Sequence, residues 1–196
     1  MDRPIWIFAT NNNHKLEEAR SILAPFAQIV SLKEIGFFEE VEETANTFHE
    51  NALLKANAVF DFAGKPCFAD DSGLCVNALL GAPGIFSARY ANPTGPTDHL
   101  ANNQKLLKAL QNETDRTAYF ITVIAAVGFS EEPLYFKGEV HGKIAHTLKG
   151  VQGFGYDPLF VPDGYEQTFA ELGETVKNQI SHRAHALQAL KQAILH

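Results

Sequence analysis

"PIWIFATNNNHKLEEARSILAPF", residues 4–26, decides the fold. Pro4–Thr10 is a short run of β-branched and aromatic residues, which predicts a buried strand. From Lys15 the spacing changes. Leu16, Ala19, Ile22, Leu23 and Phe26 recur at helical intervals, and Pro25 stands near the end. "AQIVSL", residues 27–32, reads as a second strand. Strand, helix and strand in that order predict an α/β fold.

The join between first strand and helix is polar: Thr10, Asn11, Asn12, Asn13, His14, then Lys15. In α/β sheets, ligands bind beyond the carboxyl ends of strands, where helix N-termini present backbone N–H groups. Asparagine tolerates the left-handed backbone region, so three in a row are expected to curl those N–H groups into an anion-holding concavity. Thr10 adds a hydroxyl and Lys15 a point charge. An asparagine-rich turn with a solvated lysine accounts for the same residues. The turn is not a Walker A loop, and the nearest lookalike, "GEVHGKI" at 138–144, is one residue short with Ile144 in the hydroxyl position.

Further along, "TFHENALLKANAVFDFAG" (47–64) predicts a helix with Phe48, Leu54, Ala58 and Phe62 on its inner face and Gly64 ending it. "KPCFADD" (65–71) predicts a short strand, and "SGLCVNAL" (72–79) begins another extended segment. A Gly/Pro-rich stretch, 80–99, interrupts the regular pattern. "DHLANNQKLLKALQ" (98–111) predicts a helix with Leu100, Leu106, Leu107 and Leu110 inward. "TAYFITVIAAVGFS" (117–130) and "EEPLYFKGEVHGKIA" (131–145) predict a long antiparallel pair. A glycine-punctuated loop follows at 150–165, and "SHRAHALQALKQAIL" (181–195) predicts a closing helix with Ser181 as N-cap and Leu187, Leu190 and Ile194 inward. No repeat or linker divides the chain. The expectation is an α/β fold with a mixed β-sheet and flanking helices, a single domain over residues 1–196 whose middle protrudes as a second lobe.

Composition narrows the function. Hydrophobic residues at 45% and charged residues at 20% are ordinary for a packed domain and argue against disorder. A net charge of −7 argues against general affinity for nucleic-acid phosphates. It leaves room for a small anionic ligand, and for a polyphosphate a divalent cation would help at an acidic surface. Cys67 and Cys75 have neither disulfide nor zinc-ligand spacing and read as small buried hydrophobes. The opening residues lack a secretory pattern, and no apolar run approaches the roughly 18 residues of a membrane span. A soluble cytoplasmic protein is expected.

Three further polar clusters invite chemistry. "FADDSG" puts Asp70, Asp71 and Ser72 at the end of an apolar strand. Alternation sends the two carboxylates to opposite faces, so at most one faces a given site. Such a carboxylate can bind Mg2+ or take a proton from water, although Asp–Ser–Gly also starts turns. "FGYDP" (154–158) offers an aromatic beside a carboxylate, which suits a flat heterocycle; a loop plugging the core reads the same way. "KNQISHRAH" (177–185) places His182 and Arg183 in a helix's first turn, where basic residues are electrostatically unfavourable and an anion or carbonyl oxygen would explain them. The acidic run from Glu39 to Glu43 is a solvated loop or, near Asp71, part of an oxygen-ligand site.

Together these clusters resemble the inosine triphosphate pyrophosphatase family. The resemblance covers nearly the whole chain in order: "FATNNNHK" (8–15), "EETANTFHENALLKA" (42–56), "FADDSGLCVNALLGAPGIFSARYA" (68–91), "QGFGYDPLF" (152–160), "TFAEL" (168–172) and "KNQISHRAHAL" (177–187). It implies an elongated, two-lobed α/β fold and a homodimer. It also implies Mg2+-dependent hydrolysis of non-standard purine nucleoside triphosphates (ITP, dITP, XTP) to monophosphate and pyrophosphate. On matching residues, Thr10, Asn11, Asn12, Asn13, His14 and Lys15 would grip the triphosphate, aided by Lys177. Asp71 would be the catalytic carboxylate and a Mg2+ ligand, with Glu42 as second acid, Glu43 its close alternative, and Ser72 touching substrate. Phe154, Gly155, Tyr156 and Asp157, with His182 and Arg183, would form the base pocket. Arg183 can only donate, which would match a 6-keto group and oppose an amino group. The family often has Gly where this chain has Asn11. A septum-formation-type nucleotide pyrophosphatase is a rival, but its "LASxSPRR" opening is missing. A nucleotide sensor without turnover is another, and retained Asp71 and Glu42 count against it.

Overall fold

β1 (Ile5–Phe8), α1 (Asn13–Leu23) and β2 (Gln28–Ser31) form where the opening stretch places them, in a computed structural model that describes residues 3–195. β1 and β2 pair in parallel, Ile5 opposite Gln28 through to Phe8 opposite Ser31. There follow α2 (Phe48–Ala63), β3 (Cys67–Val76), α3 (His99–Ala109), β4 (Thr117–Val127), β5 (Leu134–Ile144), β6 (Phe160–Pro162), α4 (Phe169–Ile180) and α5 (His182–Leu195). The strand order is β2-β1-β3-β4-β5-β6. β1 pairs in parallel with β3, while β5 and β6 are antiparallel, so the sheet is mixed as expected.

The chain divides into two compact units. The first runs to Asp71 and takes in Thr122–Gly138 and the chain from Arg183 onward; the second is Ser72–Ile121 with Glu139–His182. In the first, alternation along the strands makes two apolar faces. Phe8, Phe68, Ile124 and Ala126 pack against Leu16, Ala19 and Leu23 of α1 and Ala186, Leu187 and Leu190 of α5. Ile7, Cys67, Ala69, Ala125 and Val127 pack instead against Ala52, Ala56 and Val59 of α2. The second unit has its own core: Leu74, Val76, Phe120, Ile144 and Phe160 from strands, Leu106 and Leu110 from α3, and Phe169 from α4. Each fully buried large side chain of this kind stabilises by about 1.5–3 kcal/mol.

Several expectations are corrected. α2 has Thr47 as N-cap and left-handed Gly64 as C-cap, but its inner face is not the one carrying the bulk. Leu54 and Phe62 are 40% and 55% exposed, because the alanines let the helix lie close to the sheet and push the large residues to its margin. Leu100, expected inward on α3, is 57% exposed, and the neighbouring buried positions belong to Asn102 and Asn103. The two segments read at 65–79 are one ten-residue strand, β3, followed by a 3₁₀ turn. β6 sits inside the glycine-punctuated loop. α4 was not expected at all, since Gly173 (φ 77°) breaks its periodicity; Thr168 and Glu171 nevertheless make a capping box at its start.

β5 approaches β6 closely at Gly142, which lies opposite Pro162. A Cβ at Gly142 would collide with the Val161 carbonyl oxygen, a backbone atom that cannot swing aside. Gly142→Ala is expected to cost about 2 kcal/mol, seen as a lower urea midpoint at an unchanged m-value.

Candidate active site

The opening turn is built by capping rather than by left-handed backbone. Ala9 N–H donates to Phe68 O at 2.8 Å, which ties the end of β1 to β3. Asn12 N–H donates to Thr10 Oγ1 at 3.1 Å, and Asn12 Oδ1 accepts from Lys15 N–H at 3.2 Å as the N-cap of α1. Among the described non-glycine residues only Leu80 has a positive φ, so the expected left-handed asparagine run is corrected. Asparagine serves here because its short carbonyl reaches the helix's first turn. Asn11, Asn13 and His14 are exposed, while Thr10, Asn12 and Lys15 are half-buried. The turn still ends on a helix N-terminus, whose dipole favours an anion.

Asp70 and Asp71 do point to opposite faces. Asp70 lies on the α1/α5 side, where Oδ1 accepts from Lys15 Nζ at 3.1 Å and Oδ2 from Arg183 Nε at 3.0 Å. Arg183 also pairs through Nη1 with Glu18 of α1, so two basic and two acidic groups meet in the interior. Burial lowers the Lys15 pKa despite Asp70, whereas Glu18 and Asp70 outweigh burial and raise that of Arg183. Asp71 lies on the α2 side, where Oδ2 accepts from Asn51 Nδ2 at 3.2 Å. Burial is the main reason its carboxyl is pushed up to about 6; Glu43 adds to the rise, while Lys55, Lys15 and the Asn51 bond oppose it. Lys55, four residues after Asn51 on α2, donates to Asp70 O at 2.7 Å and pairs with Glu43. Burial disfavours the Lys55 charge, but Glu43, Asp71 and Asp70 together raise its pKa.

This geometry adds three residues that the sequence reading lacked: Glu18, Asn51 and Lys55. Asn51 and Lys55 had a legible signal, an i, i+4 spacing that puts both on one face of the helix. Both acidic candidates are exposed, and Glu43 is the one that pairs with Lys55 and whose charge bears on Asp71. Asp71 and Glu43 suit Mg2+, which takes one or two carboxylates and completes its shell with phosphate oxygens and water. No cluster of three or more metal-ligating His, Cys, Asp or Glu side chains occurs among the described residues.

In the second unit the FGYDP loop is pinned at successive residues. Phe154 N–H donates to Asp157 Oδ2 at 2.8 Å, and Lys177 Nζ of α4 reaches the same oxygen at 2.7 Å. Lys177, buried and paired, lies 4.4 Å from the Phe154 ring centroid, so it orients the loop as well as charging it. Asn103 Nδ2 of α3 donates to Gly155 O at 2.8 Å. Tyr156 is buried and its hydroxyl donates to Ser87 O at 2.8 Å, which makes it an anchor within the fold. Gly153 (φ 77°) is obligatory, since a Cβ there would strike the Asp157 carboxylate. His182 stacks on Phe120 with centroids 4.6 Å apart, and Ser72 is half-buried in β3.

The fold and the first unit's cluster define a class: an α/β protein with a carboxylate–lysine site where its first parallel strand meets a helix. The model of the Ham1 family matches residues 6–193, and the chain belongs to that family. It is 52% identical over 190 residues to the dITP/XTP pyrophosphatase of Porphyromonas gingivalis, covering 96% of each chain. It is 44% identical over 191 residues to that of Bacillus subtilis, again covering 96% of each. Among solved structures, the Staphylococcus aureus Ham1 protein superposes with TM-score 0.86 at 43% identity over 97% of each chain, and a HAM1 protein from Coxiella burnetii with 0.87 at 38% over 98% of each. The sequence resemblance and these comparisons agree on the family.

In protein stripped of divalent ions by a chelator, the Asp71 carboxyl is expected to titrate near pH 6 by carbon-13 NMR. Lys55→Met should move that midpoint upward, because it removes the leading opposing charge. A midpoint near 4 in both proteins would contradict the described environment.

Proposed function

We propose that the chain hydrolyses non-standard purine nucleoside triphosphates, dITP, ITP and XTP, to the monophosphate and pyrophosphate, and so cleanses the nucleotide pool. Near-full-length identity to proteins named dITP/XTP pyrophosphatase carries this reading. The buried carboxylate beside two lysines supplies chemistry for it.

Thr10, Asn11, Asn12, Asn13, His14 and Lys15 bind phosphate oxygens at the start of α1, and Ser72 and Lys177 contribute contacts. Asp71, ionised above its pKa of about 6, orients a water and accepts its proton. The water oxygen bonds to the α-phosphorus as the bond to the bridging α–β oxygen breaks, and pyrophosphate leaves with the electron pair. Asp71 and Glu43 would hold Mg2+, which supplies charge neutralisation on the phosphates when bound. Arg183 and Lys15 act from the other face by fixing Asp70 and hence the strand that carries Asp71. In this reading the Phe154 ring stacks on the base while Gly155, Tyr156 and Asp157 shape the loop, and His182 and Arg183 contribute polar contacts. Because Arg183 already engages Glu18 and Asp70, its substitution should disturb rate as well as base preference.

A homodimer fits the exposed apolar residues of the Gly/Pro-rich stretch, Leu80 and Phe86, at 99% and 67% exposure. No helix among the described residues is long and apolar enough to cross a membrane; a cytoplasmic location is proposed because it suits a pool-cleansing role.

The test is a product assay with Mg2+ on dITP, ITP, XTP, dATP, dGTP and dTTP, separating pyrophosphate from orthophosphate. Pyrophosphate from the first three is expected, and chelation should abolish it. Asp71→Asn should lower kcat by about 10²–10⁴-fold with substrate binding retained. Turnover mainly of dTTP would favour the septum-type reading, and binding of ITP without turnover a sensor. Sedimentation of the native chain is expected to show a dimer, reduced to monomer by Leu80→Glu with Phe86→Glu.

A further inference from the structure

We propose that Asn103 of α3 is a positioning residue for the base loop: it fixes the main chain at Gly155 so that Phe154 presents its ring in one orientation. The proposal rests on the reading of Phe154–Asp157 as the loop that meets the base. Asn103 is 3% exposed, and its Nδ2 donates to two carbonyl oxygens, His99 O and Gly155 O, each at 2.8 Å. The first bond stays within α3 and locks the amide's rotamer. The second spans 52 residues and lands on a left-handed glycine (φ 62°) directly after Phe154. Glycine at that point leaves the chain conformationally permissive, and a bond to its carbonyl removes that freedom.

The same helix turn touches the ring itself. His99, whose carbonyl Asn103 holds, meets Phe154 with centroids 6.3 Å apart. Lys177 of α4 stands over that ring, so α3 and α4 both bear on it. The amide's other atom indicates why an asparagine is used. No hydrogen-bond donor among the described residues reaches the buried Asn103 Oδ1. A buried acceptor left unmatched is unfavourable for folding, and a leucine of similar volume would fill the place without that cost. The residue is therefore explained by its two donated bonds, of which only the Gly155 bond reaches outside the helix.

The experiment compares Asn103→Leu, Asn103→Asp, Phe154→Ala and the Asn103→Leu/Phe154→Ala double variant with the native chain. kcat and KM for dITP are measured for each, with thermal melting as a check on folding. Both Asn103 variants should raise KM about tenfold, with kcat changed by less than about twofold, as for lost binding shared by ground and transition states. The double variant should have a KM no worse than Phe154→Ala alone, because Asn103 acts through that ring. Additive KM effects, or Asn103 variants that melt earlier while keeping native KM, would overturn the proposal and leave a purely structural role. The Asp variant keeps the shape of the side chain, so it serves if the Leu variant does not fold. Should Phe154→Ala leave KM unchanged, the base-loop reading fails and takes the proposal with it. A raised KM in Phe154→Ala with native KM in both Asn103 variants defeats the Asn103 proposal alone.

Discussion

Two adjacent carboxylates, buried in one strand, constrain the first unit. Asp70 and Asp71 are 1% and 5% exposed, and removing a charge from water costs several kcal/mol unless it is matched. Strand alternation forbids a common partner, so each face must supply its own. On one side α1 and α5 bring Lys15 and Arg183, with Glu18 balancing the second cation. On the other, α2 brings Asn51 and Lys55. The placement of three helices thus answers to two residues of β3. The two faces match their carboxylates differently. Asp70 holds ion pairs with Lys15 and Arg183, while Asp71 accepts from the Asn51 amide, and burial pushes its carboxyl up to about 6.

The loop in the second unit shows a different strategy. Its residues carry few charges, yet nearly every one is tied by a specific bond: Phe154 N–H and Lys177 to Asp157, Asn103 to Gly155, Tyr156 to Ser87. A flat aromatic surface gains little from being charged and much from being still, since stacking depends on ring orientation. Reading "FGYDP" from the sequence named residue types and not these bonds: Tyr156 is buried and Asp157 is paired with Lys177.

The fold was largely legible because the signals were local. β1, α1, β2, the capped helix at 48–63 and the β4–β5 hairpin all follow from periodicity and punctuation. What escaped depended on packing. Periodicity on α2 favoured large apolar residues, but small ones face the sheet, a choice made by how closely the helix approaches. α4 was hidden by Gly173, although "TFAE" carried its cap in plain view. Among site residues, Asp71 and Lys15 could be read from the strand end and the turn. Glu18 and Asn103 could not be singled out, because each matters for a partner 165 or 52 residues away. The asparagine turn was located correctly and explained wrongly: its side chain caps a helix where its backbone was expected to bend.

The discontinuous make-up of the first unit has a consequence for synthesis. Arg183, Ala186, Leu187 and Leu190 come from α5, so Asp70 and Glu18 lack their guanidinium, and the sheet one of its covering helices, until α5 has been made. A chain stopped before α5 therefore carries Asp70 and Asp71 on an unfinished scaffold. Chains that stop before α5 leave apolar surface of β1, β3 and β4 uncovered, and are open to proteolysis for that reason.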